Sequence, residues 1–205
     1  MYQQIPYELD QRIKNELEGG EMIEWKGMPV PRFFKIETTV PFLFAIPWTA
    51  FAIFWMFGAA GFQIPDLSKG FNPMLLFPLF GLPFVLIGIA MLSSPIWSYL
   101  KDKKTVYVIT DRRLLIMTGG RTFEFKSIMP DQIKEMTRRE RADTGDLVVA
   151  HKVWRDSDND QRSQEIGLFN IPDVRGAQAA LQRLLENFHK NRQEDESNGW
   201  ELKDQ

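Results

Sequence analysis

PFLFAIPWTAFAIFWMFGAAGFQI (Pro41–Ile64) and FNPMLLFPLFGLPFVLIGIAMLSSPIWSYL (Phe71–Leu100) decide the fold of this chain. Neither run contains an Asp, Glu, Lys or Arg. The hydrocarbon core of a bilayer is about 30 Å thick and takes about 20 apolar residues as a helix, so each run is long enough to cross. No water is available there to solvate free backbone groups, which makes helix the conformation both must adopt. Only PDLSKG (Pro65–Gly70) joins them, enough for a tight reversal. The pattern predicts a transmembrane hairpin over residues 41–100.

Charge on either side orients it. Lys26, Arg32 and Lys35 precede the first run, and Lys101, Lys103, Lys104, Arg112 and Arg113 follow the second. The reversal holds Lys69 alone. Basic residues near span ends stay on the cytoplasmic side, so both termini are expected in the cytoplasm. The first forty residues carry Glu8, Asp10, Glu16, Glu18, Glu21, Glu24 and Glu37, unlike a cleavable signal peptide, so the first span is expected to direct insertion.

Within the runs, Pro47, Pro78 and Pro83 each remove a backbone donor and predict kinks. Gly58 and Gly61, with Gly81 and Gly88, suit close packing of the two helices, and none makes a GxxxG pair. Trp97 and Tyr99 mark the inner interface. The spans offer Thr49 and little else that is polar, which argues against transport by this chain alone.

Of the 205 residues, about 145 remain outside lipid, enough for one small domain with arms. Mean hydropathy is negative despite two spans, so that remainder is strongly polar. A net charge of −2 argues against nucleic acid as a main partner. The chain has no cysteine, which excludes disulfides, thiolate catalysis, Cys-ligated zinc and iron–sulfur clusters.

Residues 1–40 read as a cytoplasmic arm. Tyr7–Leu17 has Leu9, Ile13 and Leu17 on one helical face, Gly19-Gly20 stops that helix, and Glu21–Lys26 reads as a strand. After Lys104 the period changes to two. Six strands are expected as a meander: Thr105–Thr110, Arg113–Thr118, Arg121–Ile128, Ile133–Glu140, Asp146–Trp154 and Ser163–Ile171. Pro172-Asp173 then opens a helix to Lys190 with Val174, Ala177, Leu181, Leu184, Leu185 and Phe188 along one stripe. The acidic tail, residues 191–205, is expected to be unfolded.

VYVITDRRLLIMTGG (Val106–Gly120), SIMPDQIKEM (Ser127–Met136), FNIPDVRGAQAAL (Phe169–Leu181) and GEMIEWKGMPVP (Gly20–Pro31) together resemble the bacterial pleckstrin-homology-like (PH-like) proteins that carry an N-terminal transmembrane hairpin. The resemblance covers roughly Gly20 to Lys190. It implies an α+β membrane protein of the bacterial inner membrane: a two-helix hairpin plus a PH-like antiparallel β-barrel over residues 101–190, closed by the C-terminal α-helix. If Glu21–Lys26 joins as a further strand, the hairpin is an insertion between the first two strands. The resemblance also implies a non-enzymatic binding or assembly module, with a protein partner or self-association at the bilayer and no cofactor.

PH domains that bind phosphoinositides use a basic cluster near their first hairpin loop, which makes Lys101, Lys103, Lys104, Arg112 and Arg113 the candidates for a lipid headgroup or the membrane surface. Lysines beside a span follow from topology in any case. Arg138, Arg139 and Arg141 form a second group, interleaved with Glu135, Glu140 and Asp143. They are candidates for a partner with an acidic patch, set against plain cross-strand pairing on a solvated hairpin. Asp156, Asp158 and Asp160 have the spacing of a calcium loop, but Gln161 and Gly167 stand where that loop needs Gly and Glu. His151 and His189 have no metal-ligand spacing, and no phosphate loop or nucleophile–base pair is visible. No catalytic, metal or cofactor residue is expected.

Overall fold

A computed structural model describes residues 5–62, 76–120, 122–155 and 161–201. It divides into two compact units, Arg32–Leu100 and a second built from Met1–Pro31 with Lys101–Gln205.

In the first unit, α2 (Ile36–Ala59) is followed by α3 (Leu76–Leu79), α4 (Leu82–Leu92) and α5 (Ser94–Asp102), with α1 (Tyr7–Glu16) and β1 (Ile23–Gly27) earlier in the chain. Among the described residues, two helical stretches are long and apolar enough to cross a membrane: Glu37–Ala59, of mean hydropathy 1.8, and Phe77–Asp102, of mean hydropathy 2.0. The first helix starts before Pro41: the Thr38 hydroxyl accepts from the Lys35 N–H (3.2 Å), and the Thr38 and Thr39 hydroxyls donate to the Lys35 carbonyl (3.1 and 2.7 Å). Pro41 and Pro47 lie inside it without ending it. The second stretch breaks at Phe80-Gly81 and restarts with Pro83 in its first turn, where a missing N–H costs nothing. The reversal 65–70 and the start of the second run lie outside the described residues.

Small residues bring α2 and α4 together. Ala45, Thr49 and Ala52 are buried on α2, as are Gly81 and Gly88 on the facing stretch. A Cβ on Gly88 would stand 2.1 Å from Thr49 Oγ1, and one on Gly81 2.3 Å from Met56 Cγ, so a side chain at either position forces its neighbour to move. The polar groups in this seam are satisfied. Thr49 donates to the Ala45 carbonyl (2.6 Å), and the Trp48 indole donates across to the Phe84 carbonyl (3.1 Å). At the base of the unit Phe33 stacks on Tyr99, with centroids 4.1 Å apart.

The second unit holds two antiparallel sheets. β1 joins β2 (Thr105–Thr110), β3 (Leu114–Gly119) and β4 (Phe123–Ile128) in the order β1-β2-β3-β4. β5 (Thr137–Glu140), β6 (Gly145–Arg155) and β7 (Gln161–Ile171) form the other. The expected closed barrel is therefore two sheets, and no ladder joins them among the described residues. The physical reason lies at Pro130–Gln132, a single 3-10 turn after β4. Beyond it Ile133 and Met136 pack on the core without strand geometry, which shortens β5 to four exposed residues.

β1 pairs with β2, from Gly27 opposite Tyr107 to Ile23 opposite Thr110. The hairpin segment is thus inserted between two paired strands of one sheet. All six residues of β2 are buried because both faces of that sheet are covered. On one face Tyr107, Ile109, Leu114 and Ile128 meet Leu147, Val149, Leu168 and Ile171 of the other sheet. The same core takes Val174, Ala177, Ala180, Leu181 and Leu184 of α6 (Val174–Glu201). On the opposite face Val106, Val108, Leu115 and Met117 pack against Leu9 and Ile13 of α1.

α6 continues past Lys190 to Glu201, where an unfolded tail was expected. Asn191–Glu194 supplies mostly good helix formers and an i,i+4 pair, Lys190–Glu194, and no proline or glycine interrupts before Gly199.

Candidate functional site

Thr110-Asp111-Arg112-Arg113, the turn between β2 and β3, is densely bonded. Its partner is the segment before β1. The Arg113 guanidinium grips the Glu21 carboxylate with two bonds, Nε to Oε1 and Nη2 to Oε2, each 2.9 Å. Both residues are buried. Arg113 also donates to the Glu16 carbonyl (3.2 Å) and stands 3.5 Å from Glu18. Thr110 Oγ1 accepts from the N–H groups of Arg112 (3.2 Å) and Arg113 (3.0 Å), and its proton lies between Glu21 Oε1 (2.8 Å) and the Arg113 carbonyl (2.9 Å). Asp111 accepts from the Met22 N–H at 2.9 Å and donates its own N–H to the Met22 carbonyl at 3.0 Å.

Burial alone would raise the Glu21 carboxyl. The Arg113 fork, the Glu18 N–H and the Thr110 hydroxyl outweigh it and hold the group at about 2. The same carboxylate raises Arg113 further. A charge pair this well bonded repays its desolvation; either member alone would not.

A second clamp stands at the end of β7. Asn170 has φ 56°, in the left-handed region where asparagine is among the few tolerated side chains. There its N–H donates to Asp146 Oδ1 (2.7 Å), its Oδ1 accepts from Thr144 (2.9 Å) and its side-chain N–H donates to the Val30 carbonyl. Val30 N–H returns a bond to the Asn170 carbonyl at 2.8 Å. Three residues on, Asp173 caps α6 through the Gly176 N–H (2.9 Å) and accepts from the Trp25 indole (3.2 Å). Glu21, Trp25 and Val30, all before the hairpin, are thus fixed by residues after it.

Of the five basic headgroup candidates, Lys101, Lys103, Lys104 and Arg112 are exposed, and Arg112 lies 3.6 Å from Glu18. Arg113 is buried and its fork is filled by Glu21, so its role is structural and it leaves the surface set. Arg138, Arg139 and Arg141 lie on or just past exposed β5, each engaged within the chain. Arg139 grips Glu165 with two bonds (2.8 and 2.6 Å), which holds the Glu165 carboxyl below its usual value. Arg138 bonds Gln178 and Glu140, and Arg141 bonds Asp146. Glu140 also takes Arg175 of α6 at 2.9 Å. His151 bridges Glu135 and Glu165 on the exposed face. Asp156, Asp158 and Asp160 lie outside the described residues.

Sequence reasoning read Asp173 as the helix entry but missed its bond to Trp25, and it missed Glu21 and Asn170 as bonding centres. The signals of those two were present: a lone Glu after Gly-Gly and an Asn just ahead of Ile-Pro. No family model, curated protein or solved structure matches the chain.

Proposed function

We propose that this chain is a two-span protein of the bacterial inner membrane, with both termini cytoplasmic. In this reading its second unit is a PH-like module that acts without catalysis. It serves as a scaffold or accessory subunit, holding a protein partner or further copies of itself at the membrane. The observation that carries the reading is the pairing of β1 with β2 across the inserted hairpin, locked by Glu21 and Arg113. Because β1 precedes the hairpin segment and β2 follows it, both chain crossings leave from one sheet, unlike a single tethering linker, and positioning a partner needs that restraint. Among the described residues, seven strands with α6 packed into the core between the two sheets support the PH-like assignment.

The test is the mass of the intact tagged protein, purified from its native membrane in mild detergent. A defined heteromeric or homo-oligomeric mass supports the scaffold. A bare monomer that retains anionic lipid favours the second reading, a sensor of anionic headgroups using Lys101, Lys103, Lys104 and Arg112, all exposed just after the hairpin.

A further inference from the structure

Four strands border the two sheets, and three of them are engaged elsewhere. β1 is tied to α6 by Trp25–Asp173 and by Glu24–Arg183 (3.3 Å). β5 is short, and its Arg138, Arg139 and Glu140 are spent on bonds within the chain. β7 is met by Val30. Among the described residues no backbone bond from outside its own sheet reaches β1, β4 or β5. β4 differs in that its exposed charges are unspent, its side-chain ties being Arg12 over the Phe123 ring (4.1 Å) and Arg113 with Ser127 (3.5 Å). Glu124 and Lys126 are exposed and make no ion pair among the described residues. Phe123 and Phe125, on the other face, are only partly buried. An uncovered edge of this kind is a template for another strand.

We propose that β4 pairs with β4 of a second copy of this chain, antiparallel, about a two-fold axis through Phe125. This rests on the self-assembly branch of the function above and names its surface. Residues opposite each other in an antiparallel ladder point to the same face, so the axis of a symmetric pair must pass through a residue, not between two. An axis through Glu124 sets Glu124 against its own copy, and one through Lys126 does the same with lysine. The axis through Phe125 sets Glu124 against Lys126 of the second copy, twice by symmetry, and Phe125 against Phe125. Opposite charges and aromatic pairs directly across a ladder are the stabilising combinations, and like charges the destabilising ones. The strand is therefore self-complementary in this register, as an isologous interface requires. The two four-stranded sheets become one sheet of eight.

The absence of cysteine makes the test direct. In the full-length chain in detergent, Phe125→Cys places two thiols across the axis, and oxidation is expected to give a covalent dimer. Ser127→Cys, which faces Phe123 of the second copy, is expected to give almost none. Glu124→Lys or Lys126→Glu alone should weaken association roughly tenfold, since each creates two like-charge pairs. The double variant Glu124→Lys with Lys126→Glu restores opposite pairs and should restore association. An oligomeric wild type in which the two cysteine variants cross-link alike, or the double variant fails to recover, overturns the β4 interface and leaves the scaffold reading standing. A heteromer in which the partner blocks cross-linking at Phe125 also overturns it, assigning β4 to a different chain. A wild type that is monomeric and without a partner overturns both.

Discussion

Arg113 and Glu21 lie 92 residues apart in sequence and share two hydrogen bonds of 2.9 Å in a buried site. The whole hairpin segment separates them along the chain. The pair therefore does what no local contact can: it registers the strand that enters the hairpin segment against the turn that follows its exit. Thr110 and Asp111 add bonds to the same short segment. The Thr-Asp-Arg-Arg sequence is thus accounted for residue by residue as a clamp, with Arg112 alone left facing solvent.

Removing one member should be far costlier than a surface substitution. Arg113→Ala leaves the Glu21 carboxylate buried without its counter-charge, and a loss of about 3–5 kcal/mol is expected. Arg113→Lys keeps the charge but not the fork and should recover only part of that. Thermal unfolding of the detergent-solubilised chain ranks the three proteins. Equal midpoints would mean that the pair carries no stability.

The same pair sets an acid limit. Glu21 is held at about 2 in the folded chain, against an ordinary value of 4.5 when free. A depressed folded value contributes stability that is complete above the unfolded value and is lost as pH falls through the folded one. The contribution, about 3 kcal/mol at neutral pH, should fade between roughly pH 5 and pH 2. Midpoints measured across that window should fall more steeply in the wild type than in Glu21→Gln, which has no proton to take up there.

Asn170 tests the second clamp, and two substitutions separate its roles. Asn170→Gly keeps the left-handed backbone and loses the side-chain bonds to Thr144 and Val30. Asn170→Ala loses those bonds and also strains φ. We expect a loss of about 1–3 kcal/mol for glycine, with about 1 kcal/mol more for alanine. Urea unfolding followed by Trp fluorescence measures both. Alanine proving no worse than glycine would show that the backbone conformation at this position is not held by the fold.

The local pattern made much of this architecture legible. The two uncharged runs announced long apolar helices, and the alternation of Thr122–Lys126 and the stripe of α6 announced their elements. What was hidden depends on contacts distant in sequence. Leu9 and Ile13 read as a helix face, yet nothing nearby says that they cover the outer side of the sheet. TVYVIT reads as buried on both faces only once α1 is known to lie there. Arg113 looked like one more basic residue after a span because its partner stands 92 positions earlier. The end of α6 is hidden for another reason: acidic, polar sequence reads as unfolded, although Arg, Gln and Glu are good helix formers once a helix is already nucleated.

Gly88 predicts how tightly the two apolar helices pack. Its missing Cβ leaves room for Thr49, whose hydroxyl is already committed to the Ala45 carbonyl. Gly88→Ala forces those helices apart and should cost about 1–3 kcal/mol. Thr49→Ala removes the nearer obstacle, so the pair of changes should cost less than Gly88→Ala alone. A double-mutant cycle on thermal midpoints in detergent gives the coupling. Strict additivity would mean that these two residues do not meet.

The basic residues after the hairpin separate anchoring from architecture. Lys101 and Lys104 are exposed, whereas Arg113 is enclosed. A basic side chain near an anionic surface contributes about 1 kcal/mol of attraction. Replacing Lys101 and Lys104 by glutamine should therefore lower the anionic share of lipid that copurifies with the chain, while the thermal midpoint stays nearly unchanged. Arg113→Gln should do the opposite, lowering the midpoint and leaving the lipid composition as it was. Lipid mass spectrometry beside a melting curve reads both in the same samples. A loss of anionic lipid on Arg113→Gln at an unchanged midpoint would return Arg113 to the surface and undo its assignment to the clamp.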